Sequence, residues 1–332
     1  MPEARRSGPP RAEIALAFAA VYVLWGSTYL AIRIGVETIP PFLMAGLRHL
    51  TAGVLLYAWM RARGTPRPEP RHWRSAALVG GLLLLGGNGL VTWAEQRVPS
   101  GLAALIVASV PLWMTAIDAI LRRERPHGVV LAGLALGLAG IAFLAAPGRF
   151  AGGGHVDPLG AAALLAASLF WATGSLVSRR VALPSATFLA TAMEMIAGGA
   201  ILLGVAGATG ELGAVSLSAV STRSLLALGY LIVAGSLVGF SAYIFVLGAT
   251  TPARVSTYAY VNPVVAVFLG WIAAGESVTA RTIVAAAIIV AAVALIIRHG
   301  AARPSAASPE EDDAPVEEDV APSGARAQGG SR

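Results

Sequence analysis

The chain has 332 residues, 56% of them hydrophobic and 13% charged, with a mean hydropathy of +0.71. A soluble domain carries about 25% charged residues, so this composition excludes a surface covered mainly by polar side chains. Cysteine is absent, which removes disulfide and thiolate metal chemistry, and the formal charge of +6 comes entirely from arginines spread between apolar runs, a pattern that argues against nucleic acid as a partner.

Residues 1–13 read as a short cytoplasmic segment. Apolar runs follow near 14–32, 41–60, 75–94, 100–120 and 128–146, then near 159–178, 185–206, 224–248, 253–272 and 280–297. Each approaches the roughly 20 residues that a helix needs to cross a hydrocarbon core. The first run follows Arg5, Arg6 and Arg11, but no A-x-A cleavage site ends it, so it reads as a span and not as a signal peptide. It carries Trp25 and Tyr29. The second run holds Arg48 within PFLMAGLRHLTAGVLLYAWM. An arginine on the lipid face there costs roughly 2.5–3.5 kcal/mol, which favours a place in the bundle interior over one snorkelling to the headgroups. The third run carries Asn88 and Trp93, and the fourth carries Pro111 and Trp113, with Glu124 at the following turn.

Trp171 lies in the sixth run and Glu194 midway along the seventh. For Glu194 three readings stand side by side: a counter-ion for Arg48, a protonatable coupling site, and a neutral structural acid. Tyr243 falls in the eighth run, and Tyr258, Tyr260, Asn262 and Pro263 in the ninth, with Gly275 and Glu276 at the turn beyond. Buried amides such as Asn88 and Asn262 need partners, since an unpaired amide in hydrocarbon is costly. Each in-helix proline removes one hydrogen bond and frees a carbonyl about four residues earlier, so Pro111 and Pro263 read as hinges or static kinks. Glu124 and Glu276 read as structural caps at the amino ends of the spans that follow them. Trp59, Trp73 and Trp271 lie near run ends, as interfacial anchors do. Residues 298–332 form an acidic, Pro-, Ala- and Gly-rich cytoplasmic tail expected to be disordered.

Sixteen arginines flank the runs on one side, among them Arg61, Arg122 and Arg179, and five lie on the other: Arg33, Arg97, Arg149, Arg223 and Arg281. The bias places both termini in the cytoplasm, which requires an even number of spans. The halves also match each other weakly. WGSTYLAIR at 25–33 aligns with WATGSLVSR at 171–179, and the Pro111–Glu124 spacing recurs as Pro263–Glu276. Five spans per unit is odd, so the second unit enters the membrane with opposite polarity. The expected fold is therefore all-α, with ten transmembrane helices in two inverted five-helix repeats, 14–146 and 159–297, joined by a loop at 147–158. Inverted repeats are the usual basis of alternating access.

The segment LWGSTYLAIRIGVETIPPFLMAGLRHLTAG resembles the first two helices of EamA-domain proteins of the drug/metabolite transporter superfamily, and ATTPARVSTYAYVNPVVAVFLGWIAAGESVTARTIVAAAIIVAAVAL resembles their later helices. The resemblance runs from about Glu13 to Ile297. It implies two EamA repeats, a shared central cavity and export of metabolites, amino acids or drugs across a bacterial cytoplasmic membrane. The positions it carries over are Trp25, Gly26, Arg48, Pro111 and Glu124, then Trp171, Asn262, Pro263, Gly275 and Glu276. No nucleotide loop, H-E-x-x-H or G-x-S-x-G motif occurs, so an enzyme is not expected, nor any cofactor or metal. The reading is a secondary transporter coupled to a proton or other ion gradient. Its partners are a small-molecule solute and membrane lipid, and monomer and homodimer both stay open. Candidate cavity residues are Trp25, Tyr29, Arg48, Asn88, Trp93, Trp171, Tyr258 and Asn262, with Glu194 the coupling candidate. The competing readings are a membrane-embedded enzyme acting on lipid-linked substrates and a non-transporting scaffold.

Overall fold

The computed structural model describes residues 10–123, 128–145, 157–249 and 257–300. Glu124, most of the 147–158 loop and the acidic tail beyond residue 300 lie outside the described residues. Among those described, every regular element is helical and no strand occurs.

The long helices in chain order are α1 (Arg11–Gly35), α2 (Pro41–Ala62), α3 (Pro70–Ala94), α4 (Ser100–Leu121), α5 (Gly128–Ala145), α6 (Pro158–Ser178), α7 (Thr187–Ala208), α8 (Thr222–Tyr243), α9 (Tyr258–Ala274) and α10 (Ala280–Gly300). Seven of them, α1–α4 and α6–α8, are long and apolar enough to cross a membrane, while α5, α9 and α10 contain shorter apolar stretches. Proline opens several helices, at Pro41, Pro70 and Pro158, where its missing N–H costs nothing and its fixed φ suits the first turn. Asp157 also accepts from the Gly160 N–H at the start of α6.

Large apolar side chains face outward along the bundle, including Leu55, Leu78, Leu226, Val233, Phe268 and Ile272. In water such a surface would drive aggregation; against lipid tails it is the expected exterior. Trp59 and Trp271 are exposed, and the Arg63 guanidinium stands 4.5 Å over the Trp59 ring.

Inside, small residues set the helix spacing. α2 and α7 cross antiparallel, with Gly46 against Leu203, Gly199 against Leu50 and Gly53 against Ile196. α3 packs on the other side of α7 through Gly80 and Gly198. α3 and α6 also run antiparallel, Gly86 meeting Phe170 and Gly174 meeting Leu83. Without a hydrophobic drive between helices in lipid, such close approach is what makes association favourable.

Three helices are locally underwound into π-turns, at Val21–Trp25 in α1, Gly81–Gly89 in α3 and Leu231–Val238 in α8. The α3 segment, GLLLLGGNG, carries four glycines, whose backbone takes up a wider turn more freely than that of a residue with a Cβ. The helical run of α4 is interrupted at Ala108–Ser109, just before Pro111. These irregularities re-aim side chains and loosen the backbone ladder, and they converge on one place.

Candidate functional site

That place is a cavity of about 140 Å³ at the centre of the bundle. Each π-segment supplies part of its wall: Trp25 from α1, Leu84, Gly87 and Asn88 from α3, and Gly235 and Ser236 from α8. α4 adds Val107 and Pro111, and α9 adds Ala259 and Pro263. Neither proline has an N–H to return to the carbonyl four residues earlier, and those carbonyls belong to Val107 and Ala259, both on the cavity wall.

Arg48 brings the charge. Its side chain is 6% exposed and lines the cavity, with Nε donating to Ser236 Oγ at 3.0 Å, while Nη1 is buried without a partner. The guanidinium is therefore anchored at one edge and unsatisfied at the other. His49 beside it turns its Nδ1 to the Ala45 carbonyl at 2.8 Å.

Aromatic rings form a second wall. Trp25 stands 5.4 Å from Tyr258, 5.0 Å from Tyr243 and 5.9 Å from Phe240, and its indole N–H donates to the Gly235 carbonyl at 3.2 Å. Asn262 is 7% exposed. Its amide nitrogen belongs on the face where the Tyr258 and Tyr22 carbonyls lie 3.3 Å away, since the opposite orientation sets oxygen against oxygen. On the far side, Asn88 and Trp171 complete the ring of polar and aromatic groups.

Every cavity candidate named from the sequence lies on this wall except Trp93. Five residues beyond Asn88, a helix has turned about 140° from that residue's face, and Trp93 instead packs beneath the Arg97 guanidinium at 4.6 Å. Glu194 is half-buried and lines no part of the cavity. The α2–α7 register sets Leu50 against Gly199, which carries Glu194 about 10 Å along the seam from Arg48. No ion pair joins the two among the described residues. Ser236, Phe240 and His49 are cavity residues that the sequence did not single out. A serine in an apolar span commonly bonds its own helix, so only the packing of α2 against α8 shows that Ser236 receives Arg48.

Glu276 caps a helix, but not the one that follows it. Its Oε1 accepts from Ser100 N at 2.7 Å and Ser100 Oγ at 2.8 Å, and its Oε2 accepts from Gly101 N at 3.0 Å. These are the first residues of α4, whose opening N–H groups have no intrahelical partner. Gly275, at φ +66°, turns the chain so that Glu276 points back into the bundle and not toward α10. Glu276→Gln should lower stability by about 1–3 kcal/mol, through loss of charge-assisted bonds, and Ser100→Ala by less. Thermal unfolding of the purified protein checks this, and equal midpoints for both variants and the parent would remove the cap.

Comparison with known proteins fits this architecture. The EamA-like transporter family model matches residues 12–146 and again 158–298. The chain belongs to the EamA-like transporter family. It is 43% identical to the uncharacterized inner membrane transporter YedA of Escherichia coli strain K12, over 79% of this chain and 83% of that one. It is 28% identical to the WAT1-related protein At3g02690, chloroplastic, of Arabidopsis thaliana, over 79% of this chain and 64% of the relative. It is 29% identical to a probable amino-acid metabolite efflux pump of Escherichia coli strain K12, over 48% of this chain and 52% of that one. A solved crystal structure at 24% identity covers 86% of this chain and 96% of its own, with a TM-score of 0.57, and shows a shared fold. The protein is a membrane transporter of the inner membrane type.

Proposed function

We propose that this transporter is a secondary exporter that carries a small, carboxylate-bearing solute through the central cavity by alternating access. The observation that carries the reading is Arg48: a buried guanidinium on the cavity wall with one edge held by Ser236 and Nη1 unpartnered. An arginine in low dielectric attracts a carboxylate far more strongly than it does in water. The Trp25, Tyr258 and Phe240 rings that also line the cavity suit an apolar or cationic remainder. The relative named as a probable amino-acid metabolite efflux pump supports both the direction and this substrate class.

The reading includes ten spans in two inverted halves, 14–146 and 159–297, with cytoplasmic ends. Several observations support it. α2 and α7, which are five helices apart, pack antiparallel. α3 and α8, also five apart, both carry π-segments at the cavity. Pro111 and Pro263 lie on the same wall from α4 and α9. Such halves give two packings of similar energy, one open to each side, and an ion gradient then supplies direction.

Uptake of a panel of solutes into everted membrane vesicles, with and without an imposed proton gradient, tests the function. Gradient-dependent uptake of carboxylate-bearing members is expected. Reconstituted protein that moves no solute but modifies a lipid-linked substrate would replace the transporter by an enzyme. Cysteine labelling on this cysteine-free chain tests the topology, and a periplasmic C-terminus would end the inverted-repeat reading.

A further inference from the structure

One ionisable group lies outside everything described so far. Glu95 is the first residue beyond α3 and is 0% exposed. Both of its carboxylate oxygens are buried without a hydrogen-bond partner. Its backbone carbonyl accepts from the Arg33 guanidinium, which ties the end of α3 to the end of α1. In the sequence it reads as a loop residue, since exposed Gln96 and Arg97 follow it.

Its surroundings are specific. Glu276, arriving from the turn between α9 and α10, is within electrostatic reach, as are Arg33 from α1 and Arg48 from α2. Tyr29 of α1, a cavity residue, also senses the Glu95 charge. α6 packs along the same stretch and carries no ionisable side chain; Asp157 before it stands 3.8 Å from Arg97. Burial above all, with the Glu276 carboxylate adding to it and Arg33 and Arg48 opposing, holds the Glu95 carboxyl well above the usual carboxylate range.

We propose that Glu95 is a proton-binding site that controls a latch at the end of the cavity where α1 and α3 finish and α4 begins. The latch is Glu276, held on the amino end of α4 by Ser100 and Gly101. With its proton on, Glu95 is neutral and leaves Glu276 seated on α4, as it is in this structure; this is the latch closed. When the proton leaves, a second negative charge joins that of Glu276 in a dry space within electrostatic reach, and Glu276 is driven off α4. The α9–α10 turn then separates from α4, and that end of the cavity opens. The sign is fixed by burial: the closed state binds the proton more tightly than an open, hydrated state does. Closure is therefore favoured at low pH and lost as pH rises above the usual carboxylate range. In the inverted topology proposed above this is the periplasmic end.

The proposal deepens the transport reading and rests on it for its purpose, yet it can be tested by conformation alone, so failure to find a solute leaves the test intact. Val107 lines the cavity, and the chain contains no cysteine, so Val107→Cys gives a single reporter. A membrane-impermeant maleimide is applied to intact cells and, separately, to everted vesicles across about pH 6 to about pH 9. Labelling from the cell exterior, expressed at each pH relative to the same cysteine in unfolded protein so that thiol ionisation cancels, should rise about tenfold or more with pH, as one titrating group allows. Adding Glu95→Gln, which has the shape of the neutral acid, should hold labelling at the acid level throughout, while Glu95→Asp should keep a titration. Monodisperse elution of each variant shows that it is folded. Three results overturn the proposal: a flat profile in the parent, an unchanged titration in Glu95→Gln, or constitutive labelling of that variant. Loss of the titration in Glu194→Gln with its retention in Glu95→Gln would also overturn it, placing the proton on α7.

Discussion

Arg48→Gln should cut export of carboxylate-bearing solutes about 100-fold while leaving neutral solutes within about threefold. Truncating one partner of a buried, hydrogen-bonded charge pair costs roughly 2–5 kcal/mol, and each 1.4 kcal/mol is a factor of ten. Glutamine retains a donor for Ser236, so the α2–α8 contact survives and the loss falls on the side that faces the cavity. Ser236→Ala should have a smaller effect of the same selectivity, because it frees the guanidinium to reorient without removing its charge. The measurement is initial uptake into everted vesicles at matched protein abundance, with paired solutes that differ only in a carboxylate. Uniform loss across the panel would make Arg48 structural, and no loss would leave the cavity without an anion site.

Much of this site was readable from residue type alone. Arg48, Asn88 and Asn262 are too costly on a lipid face, and the cheapest place for them is a shared interior, which is where the structure puts them. Apolar run length located the seven helices long and apolar enough to span, α1–α4 and α6–α8, since a helix that crosses hydrocarbon must be about 20 residues long. Three things were not readable. Helical phase near a π-segment is one: Asn88 and Trp93 looked like neighbours in a string but lie on different faces of α3. Interhelix register is another: nothing in α2 or α7 separately says that Leu50 meets Gly199 and so keeps Glu194 from Arg48. The third is burial by a distant segment. Glu95 and Glu276 both look like ordinary turn residues until α4, α9 and the intervening turn close around them.

Gly199→Ala should destabilise the protein by about 1–3 kcal/mol, and Gly199→Leu should yield no monodisperse protein at all. A Cβ at position 199 would stand 2.6 Å from the Leu50 backbone nitrogen and 2.9 Å from its Cα. Those are backbone atoms, so no rotamer change in a neighbour relieves the clash and the helices themselves must separate. Separation is not local, because α7 is held on both flanks: a Cβ on Gly53 would stand 2.8 Å from the Ile196 backbone nitrogen of α7, and a Cβ on Gly198 would stand 2.8 Å from the Gly80 carbonyl of α3. Pushing α7 away from α2 therefore drives it into α3. Gly204 on the same helix is the matched control, since a Cβ there meets nothing within 4 Å. Alanine at 204 should be neutral or stabilise by up to about 1 kcal/mol, through the lower flexibility it gives the unfolded chain. Elution profiles and thermal midpoints of the two alanine variants decide the matter. If they coincide, the α2–α7 seam is loose enough to absorb a methyl group and does not hold the bundle together. If they diverge as expected, the seam is rigid, and a change of access between the two sides of the membrane must occur by movement of the helices around it and not within it.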